Sequence, residues 1–465
     1  MANHGKAVDT KEIFENMPVA KALATLAIPT ILSQLISLVY NMADTYFIGT
    51  TDDPNKVAAS SLAYMLVFFQ MSISNLFAIG GGSLISRLLG MKNDRDARSV
   101  AALSFYGSIC ITLIYITIIW TNIDKLLVMM GASENTIGYA RSYAFWVAVV
   151  GGIPATLNTT MAQMLRSVGY AKVSSFGLSM GGVINVILDP IFMFVILPSG
   201  HEVTGAAMAT AFSNTVATLY LLYKIMLLRK TTVLSILPKD AGPGMKYIGE
   251  IFAVGFPSCI SALSNSLSGT IRNNLSAGYG DVSLAAMGIV GKIDSIPLSL
   301  SMGLCQGMMP LVAYNYAAKN YKRMKEAANT ARTWSMIFAV VCIIAFEIFT
   351  ETVFSIFMDE PETLTIGIKL LRICCLATPL MIANVQMNYM FQAMGKGKES
   401  LFLAICRRGL TNIPFLFIMN YFFGLFGIAW TQAASDSVTL IISFAMYRRL
   451  LKGLNIEETS EELKE

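Results

Sequence analysis

The chain has 465 residues, 55% of them hydrophobic and only 14% charged, and carries a net charge of +5. Soluble domains hold about 25% charged residues, so the deficit argues against a water-soluble protein and for a surface that faces lipid, where charge is costly. The basic residues are spread over short connections rather than gathered on one face among aromatics, so there is no sign of a nucleic-acid partner.

The start, Met1 to Met17, is polar, and the first apolar run is long enough to span, which argues against a cleavable signal peptide. A hydrocarbon core of about 30 Å takes about 20 apolar residues per helix. On that measure, spans are expected at 22–47, 57–80, 98–120, 138–163, 172–197 and 204–228. A polar linker from Arg229 to Lys246, holding Pro238, Gly242, Pro243 and Gly244, follows. Six more spans are expected at 247–275, 283–310, 327–350, 366–390, 401–423 and 427–450. The expected fold is an all-α integral membrane protein with twelve transmembrane helices in two pseudo-symmetric six-helix bundles. Its parts are an N-terminal lobe over 1–228, a cytoplasmic linker over 229–246 and a C-terminal lobe over 247–465.

Charge in the connections gives an orientation. One alternate set holds Arg87, Lys92, Arg95 and Arg98, Arg166 and Lys172, Lys224, Arg229, Lys230, Lys239 and Lys246, Lys319, Lys322, Arg323, Lys325 and Arg332, then Lys396, Lys398, Arg407 and Arg408. The other holds Asp52 and Asp53, His201 and Glu202, Asp281, and Asp359, Glu360 and Glu362. Only the third connection is mixed, with Lys125 and Arg141 beside Asp124 and Glu134. Positive residues stay cytoplasmic. An even number of spans then puts both termini inside, in keeping with Lys6, Lys11 and Lys21 at one end and Arg448, Arg449 and Lys452 at the other. The chain is expected in the cytoplasmic membrane.

The two halves repeat. Leu26 to Pro29 reads against Val254 to Pro257, and Gly90 to Asn93 against Ala317 to Asn320. Met164 to Lys172 reads against Met390 to Lys398, and Gly205 to Ser213 against Gly427 to Ser435. The offset stays between 222 and 228 residues across loops as well as helices. Equivalent helices keep their direction, and such parallel repeats place substrate cavities at their interface.

Charges within spans are the main functional signal, since each costs at least about 2.5–3.5 kcal/mol there. Asp44 lies in the outer part of the first span, with Asn41 three residues before it; Asp189 lies in the fifth, four after Asn185 and just before Pro190. Each Asn shares a helix face with its Asp, so each pair is expected to present an amide beside a carboxyl group in one cavity. Burial disfavours the charged form of a carboxyl group, so such a pair exchanges protons, binds Na⁺ or meets a cationic substrate. Pro190 frees the carbonyl of Val186, giving either an ion ligand or a packing kink. Counted from the matched prolines, Asp44 corresponds to Arg272, and Asp189 to a position near Phe415, so the acidic pair belongs to the first half. The second half has Lys292 and Asp294, two apart and on different helix sides, with Asp294 a further cavity candidate. Glu347 and Asp436 are expected to serve between helices. Among the 28 methionines, Met161, Met164, Met180, Met302, Met308 and Met387 are candidates for an adaptable apolar lining, against ordinary packing. The seven cysteines sit in apolar runs without metal-ligand spacing, and His4 and His201 fall in tails or loops. No enzyme chemistry and no resident cofactor are expected.

These residues resemble the multidrug and toxic compound extrusion (MATE) family over essentially the whole chain. The strongest match is Gln306 through Arg323, similar to the family's Gln-Gly-x-x-Pro-x-x-x-Tyr-Asn pattern. Pro29 through Thr45 resembles its first-helix motif, and Asn185 through Pro190 the fifth-helix motif of the MepA-like and DinF-like branches. The resemblance implies a V-shaped pair of bundles, alternating access, and H⁺- or Na⁺-driven antiport of organic, often cationic and amphipathic compounds; the chain is expected to act as a monomer. It implies that Asp44, Asn185 and Asp189 form the amino-lobe cation site, with Na⁺ as one occupant. Tyr143, Asn158 and Thr210 belong to the same network on this likeness. No acid stands in the middle of the seventh or tenth span, which departs from the NorM-like branch and its carboxy-lobe Na⁺ site. Two rivals follow: a lipid-linked oligosaccharide flippase of the same superfamily, which needs a basic central cavity, and a non-transporting membrane receptor, which needs no paired buried acids.

Overall fold

The computed structural model of the chain describes residues 10–51, 53–358 and 360–462; His4, Lys6, Asp52 and Asp359, named above, lie outside them. The helices are α1 Val19–Gly49, α2 Pro54–Gly90, α3 Asp94–Met129, α4 Ile137–Ala144, α5 Gly152–Ser167, α6 Ala171–Ile191 and α7 Glu202–Leu228. There follow α8 Pro238–Gly244, α9 Ile248–Ala277, α10 Asp281–Ala317, α11 Tyr321–Ile348, α12 Thr350–Ser355, α13 Pro361–Ala393, α14 Gly397–Ile405 and α15 Asn412–Glu462. Wider π turns at Phe145–Val150, Phe192–Ile196 and Cys406–Thr411 extend α4, α6 and α14. No strand occurs among the described residues.

Ten stretches are long and apolar enough to cross a membrane, and α4 with α5 makes an eleventh, bent by 47°. The tenth, Gly397–Leu454, is 58 residues long, far more than one crossing needs. It folds back on itself. Thr411 bonds Ser435 at 2.7 Å, Thr431 donates to the carbonyl of Phe415 at 3.4 Å, and Gly427 abuts the carbonyl of Met419. As one number rises the other falls, which is an antiparallel hairpin with its turn near Gly424. That residue has φ +58° and ψ −142°, a conformation open only to glycine. Twelve crossings result, in two six-helix bundles. Tyr421, Phe422 and Phe423 stand exposed beside the turn, as aromatics do at a membrane interface.

Several helices overrun the expected spans. The second span, expected at 57–80, runs over Pro54–Gly90, and the eighth, expected at 283–310, over Asp281–Ala317. A hydropathy window sees only the hydrocarbon layer, whereas the helices continue into the polar zone. The linker is also more ordered than a polar spacer. It forms α8 and docks on α3, where Tyr106 donates to the carbonyl of Ile236 at 2.8 Å and both Lys246 and Tyr247 bond Asp96. Arg407 and Arg408 lie within the Cys406–Thr411 turn of the eleventh span rather than in a connection. They therefore say nothing about orientation.

The repeat is visible in the backbone. Lys92 and Lys319 are the only non-glycine residues with positive φ among those described, at 58° and 59°, and they occupy matched positions. Each is followed by an Asn that caps the next helix, Asn93 accepting from the Asp96 N–H and Asn320 from the Arg323 N–H. Gly169 and Gly395 form a second matched pair, at φ 92° and 73°.

Among the described residues, the shared core of the two bundles lies near one end. Leu23, Leu26 and Ala27 of α1 share a core with Met308 and Leu311 of α10 and Met390 of α13. Gly303 and Gly307, one turn apart, let α10 lie directly against the α1 backbone at Ile31 and Ala27. Gly80 and Gly255 do the same for α2 and α9, facing the carbonyls of Ile251 and Leu76. All these contacts sit in the half of each helix nearest the chain termini. Toward the other end the cores are separate, one around Ile48, Leu66 and Tyr143, the other around Ile293, Leu370 and Leu416. The pair of bundles thus parts on the side away from the termini.

Candidate functional site

Helices α1, α4, α5, α6 and α7 carry the polar residues of the first bundle into one cluster. Asn185 and Asp189 sit one turn apart on α6, and the Asn185 amide donates to Asp189 Oδ1 at 2.9 Å. The same amide nitrogen lies 3.3 Å from Thr210 Oγ1 on α7, whose hydroxyl donates to the carbonyl of Ala206. Asp189 and Asn185 are fully buried. On α1, Asp44 is half-buried and accepts from the Tyr143 hydroxyl at 3.2 Å. Asn158 on α5 bonds Asn214 on α7 at 3.4 Å.

Asn41 bonds its own helix and lies beside Tyr40. Its amide donates to the carbonyl of Ser37 at 2.7 Å, inside its own helix. Three-residue spacing places two side chains on one face but leaves their rotamers free, and the local carbonyl captured this one. Three members escaped sequence reading. Tyr40 and Tyr64 stand within electrostatic reach of Asp44, and Asn214 partners Asn158. Phenols and amides in apolar helices carry no charge to flag them, although Tyr40 lies one turn before Asp44.

The cluster is short of donors. Asp44 Oδ1, Asp189 Oδ2, Asn185 Oδ1 and Asn158 Oδ1 are all buried without a hydrogen-bond partner. The two carboxylates lie close enough for their charges to interact. Among the described residues, neither has a basic partner within ion-pair distance. A buried carboxylate in that position is neutralised by a proton or by a bound cation. Hard oxygen acceptors, two from carboxyl groups and one from the Asn185 amide, also suit an alkali-metal ion travelling as a transported species. No cluster of three His, Cys, Asp or Glu able to hold a resident metal occurs among the described residues.

The weaker candidates fall elsewhere. Lys292 is exposed, while Asp294 accepts from Gln432 at 3.3 Å inside the second bundle, close to Arg272. Gln306 pairs with Arg166 across the two bundles, outside the acidic cluster. Glu347 pairs with Arg372 at 3.4 Å and Asp436 with Arg407 at 2.7 Å, both between helices. Met161, Met164, Met308 and Met387 are buried in the cores rather than around a cavity. The mixed third connection closes on itself through Arg141 and Asp124, 2.6 Å apart.

Comparison with known proteins is in keeping with this geometry. The MatE family model matches residues 29–191 and again 257–418, so that the two matches begin at the paired prolines Pro29 and Pro257. The multidrug export protein MepA of Staphylococcus aureus strain MSSA476 is 31% identical over 450 residues, covering 96% of this chain and 97% of its own. That of Staphylococcus saprophyticus is 30% identical over 447 residues with the same coverage. A solved outward-facing structure of a multidrug resistance MATE family transporter superposes with a TM-score of 0.91 at 24% identity, over 97% of this chain and all of that one. At that identity it speaks for the fold alone.

Proposed function

We propose, from the premise that this chain belongs to the MATE family and is a multidrug efflux transporter, that it exchanges amphipathic organic cations for H⁺ or Na⁺ at the acidic cluster of the first bundle. The observation that carries this reading is that Asp44, Asp189 and Asn185 each hold a buried oxygen without a hydrogen-bond partner. Such a group binds one positive species at a time: a proton, a small cation or the charged head of a drug. On this reading the protein acts as a monomer in the cytoplasmic membrane with both termini inside, and the end at which the bundles part faces outward.

The cycle follows from competition. With the cleft open inward, Asp44 and Asp189 lose their protons and the ionised pair favours an organic cation. With the cleft open outward, a proton or Na⁺ arriving from outside neutralises the pair and the drug leaves. The coupling ion drives the change only through its different affinity for the two states. Asn185 and Thr210 orient Asp189, and Tyr143 orients Asp44. Efflux of a fluorescent cation from cells carrying Asp189→Asn tests the scheme. The expected result is a fall to the background of cells lacking the protein; efflux at the parent rate under the same gradient would remove Asp189 from the mechanism.

A flippase for lipid-linked sugars draws on one observation, the Arg272–Arg408 cavity of the second bundle. That cavity also holds Asp294, an unfavourable neighbour for a pyrophosphate.

A further inference from the structure

The second bundle encloses a cavity of about 180 Å³ between α9, α10, α13, the Cys406–Thr411 turn and both arms of α15. Its charged lining is Arg272, Asp294 and Arg408, and Met287, Leu298 and Met381 supply an apolar wall. The Nε atoms of Arg272 and Arg408 are both buried without a hydrogen-bond partner.

The acids nearby do not answer them. Asp436 is taken by Arg407, whose Nε and Nη2 lie 2.7 and 3.4 Å from its two oxygens. Asp294 accepts from Gln432, and among the described residues it comes within ion-pair distance of neither Arg272 nor Arg408. Arginine keeps its charge in any protein setting. Two guanidinium groups near one another, with one unpaired carboxylate opposite, leave the cavity one positive charge in excess. Uncompensated charge in a bundle interior is costly, and the planar fork of arginine matches a carboxylate edge to edge. The repeat sharpens the contrast, because Arg272 occupies the position that Asp44 holds in the first bundle.

We propose that this cavity is an anion subsite for the carboxylate of an amphipathic organic acid or zwitterion, held by Arg272 and Arg408 with its ring against Met287, Leu298 and Met381. The proposal rests on the efflux reading for its biological sense. Its test reads binding rather than flux, so its failure leaves the antiport scheme standing.

The probes are rhodamine 110, whose carboxyl group is free, and rhodamine 123, its methyl ester. Binding to the purified full-length protein in detergent is followed by fluorescence polarisation. Arg272→Gln with Arg408→Gln is expected to weaken rhodamine 110 at least tenfold and to leave rhodamine 123 within twofold. Unchanged binding of both dyes, or an equal loss of both, would overturn the subsite. A second measurement needs no variant: benzoate is expected to raise the thermal unfolding temperature of the parent protein, and benzamide to leave it in place. No rise with benzoate, or an equal rise with sulfate or pyrophosphate at matched ionic strength, would also overturn the proposal.

Discussion

Asp44 and Asp189 differ in how much each depends on its neighbours. Asp189 is fully buried, with one oxygen bonded to Asn185 and the other bare; Asp44 is half-buried, with Tyr143 on one oxygen. Replacing either carboxyl group by an amide puts two donor hydrogens in place of a cation's seat. Asp44→Asn is therefore expected to reduce dye efflux at least about tenfold with the protein still folded, as read by its monodisperse elution. Because protons and organic cations compete for one pair, affinity for a cation is expected to strengthen as pH rises. Polarisation titrations should show a slope in the parent and none in the Asp44→Asn, Asp189→Asn double variant; a slope that survives would place the competition elsewhere. Tyr143→Phe removes a single hydrogen bond at 3.2 Å, about 0.5–1.5 kcal/mol net, and should lower efflux only about 2- to 10-fold. Sequence reading reached Asn185 and Asp189 because four-residue spacing on a helix nearly fixes contact. Asn41 was expected beside Asp44 on three-residue spacing, and its amide donates to the carbonyl of Ser37 within its own helix.

At the scale of elements, polar side chains tie neighbouring helices together where the helices bend or turn back. Near the bend where α4 gives way to α5, Gln70 of α2 donates to the carbonyl of Gly152 at 2.7 Å, and Thr218 of α7 to that of Pro154 at 2.7 Å. The hairpin of α15 is tied in the same way, by Thr411 to Ser435 and by Arg407 to Asp436. Arg407 and Asp436 are 13% and 3% exposed, so neither can turn to water if its partner is lost. Asp436→Asn leaves a buried guanidinium unmatched and is expected to cost about 3–5 kcal/mol, seen as a large drop in thermal unfolding temperature. Arg407→Met with Asp436→Leu, which removes both charges, should recover most of it. The composition and the repeated windows disclosed twelve crossings, and the break expected between 423 and 427 holds the turn at Gly424, although nothing polar marks it. Its neighbours are Phe422, Phe423, Leu425 and Phe426, which a hydropathy window reads as membrane. Arg408 was hidden for the opposite reason: beside Arg407, between two apolar runs, it reads as a connection rather than a cavity wall.

For the whole molecule, the contacts near the termini are the part that alternating access must break. Gly303 and Gly307 on α10 lie on the α1 backbone, Gly80 and Gly255 join α2 to α9, and Arg87 reaches Glu250 at 3.4 Å. Small residues bring the backbones close along this seam, beside the core that Leu23 and Leu26 share with Met308, Leu311 and Met390. A valine at Gly307 overpacks it by about 1–3 kcal/mol, which is about 5- to 150-fold in the ratio of the two states. Gly307→Val is thus expected to increase maleimide labelling of a cysteine placed at Ile31, in a background free of native cysteines. The converse is to lock the seam shut. Ser83 of α2 donates to the carbonyl of Gln392 at 2.6 Å and lies 3.3 Å from that of Ala393, on α13 of the other bundle. Ser83→Cys with Ala393→Cys, oxidised in the same background, should hold the cleft open only on the far side. Dye would still bind from that side, but efflux in proteoliposomes should stop and return on adding reductant. Efflux that continues with the cross-link fully formed would mean that the two bundles need not part at this end, and that the drug crosses by another route.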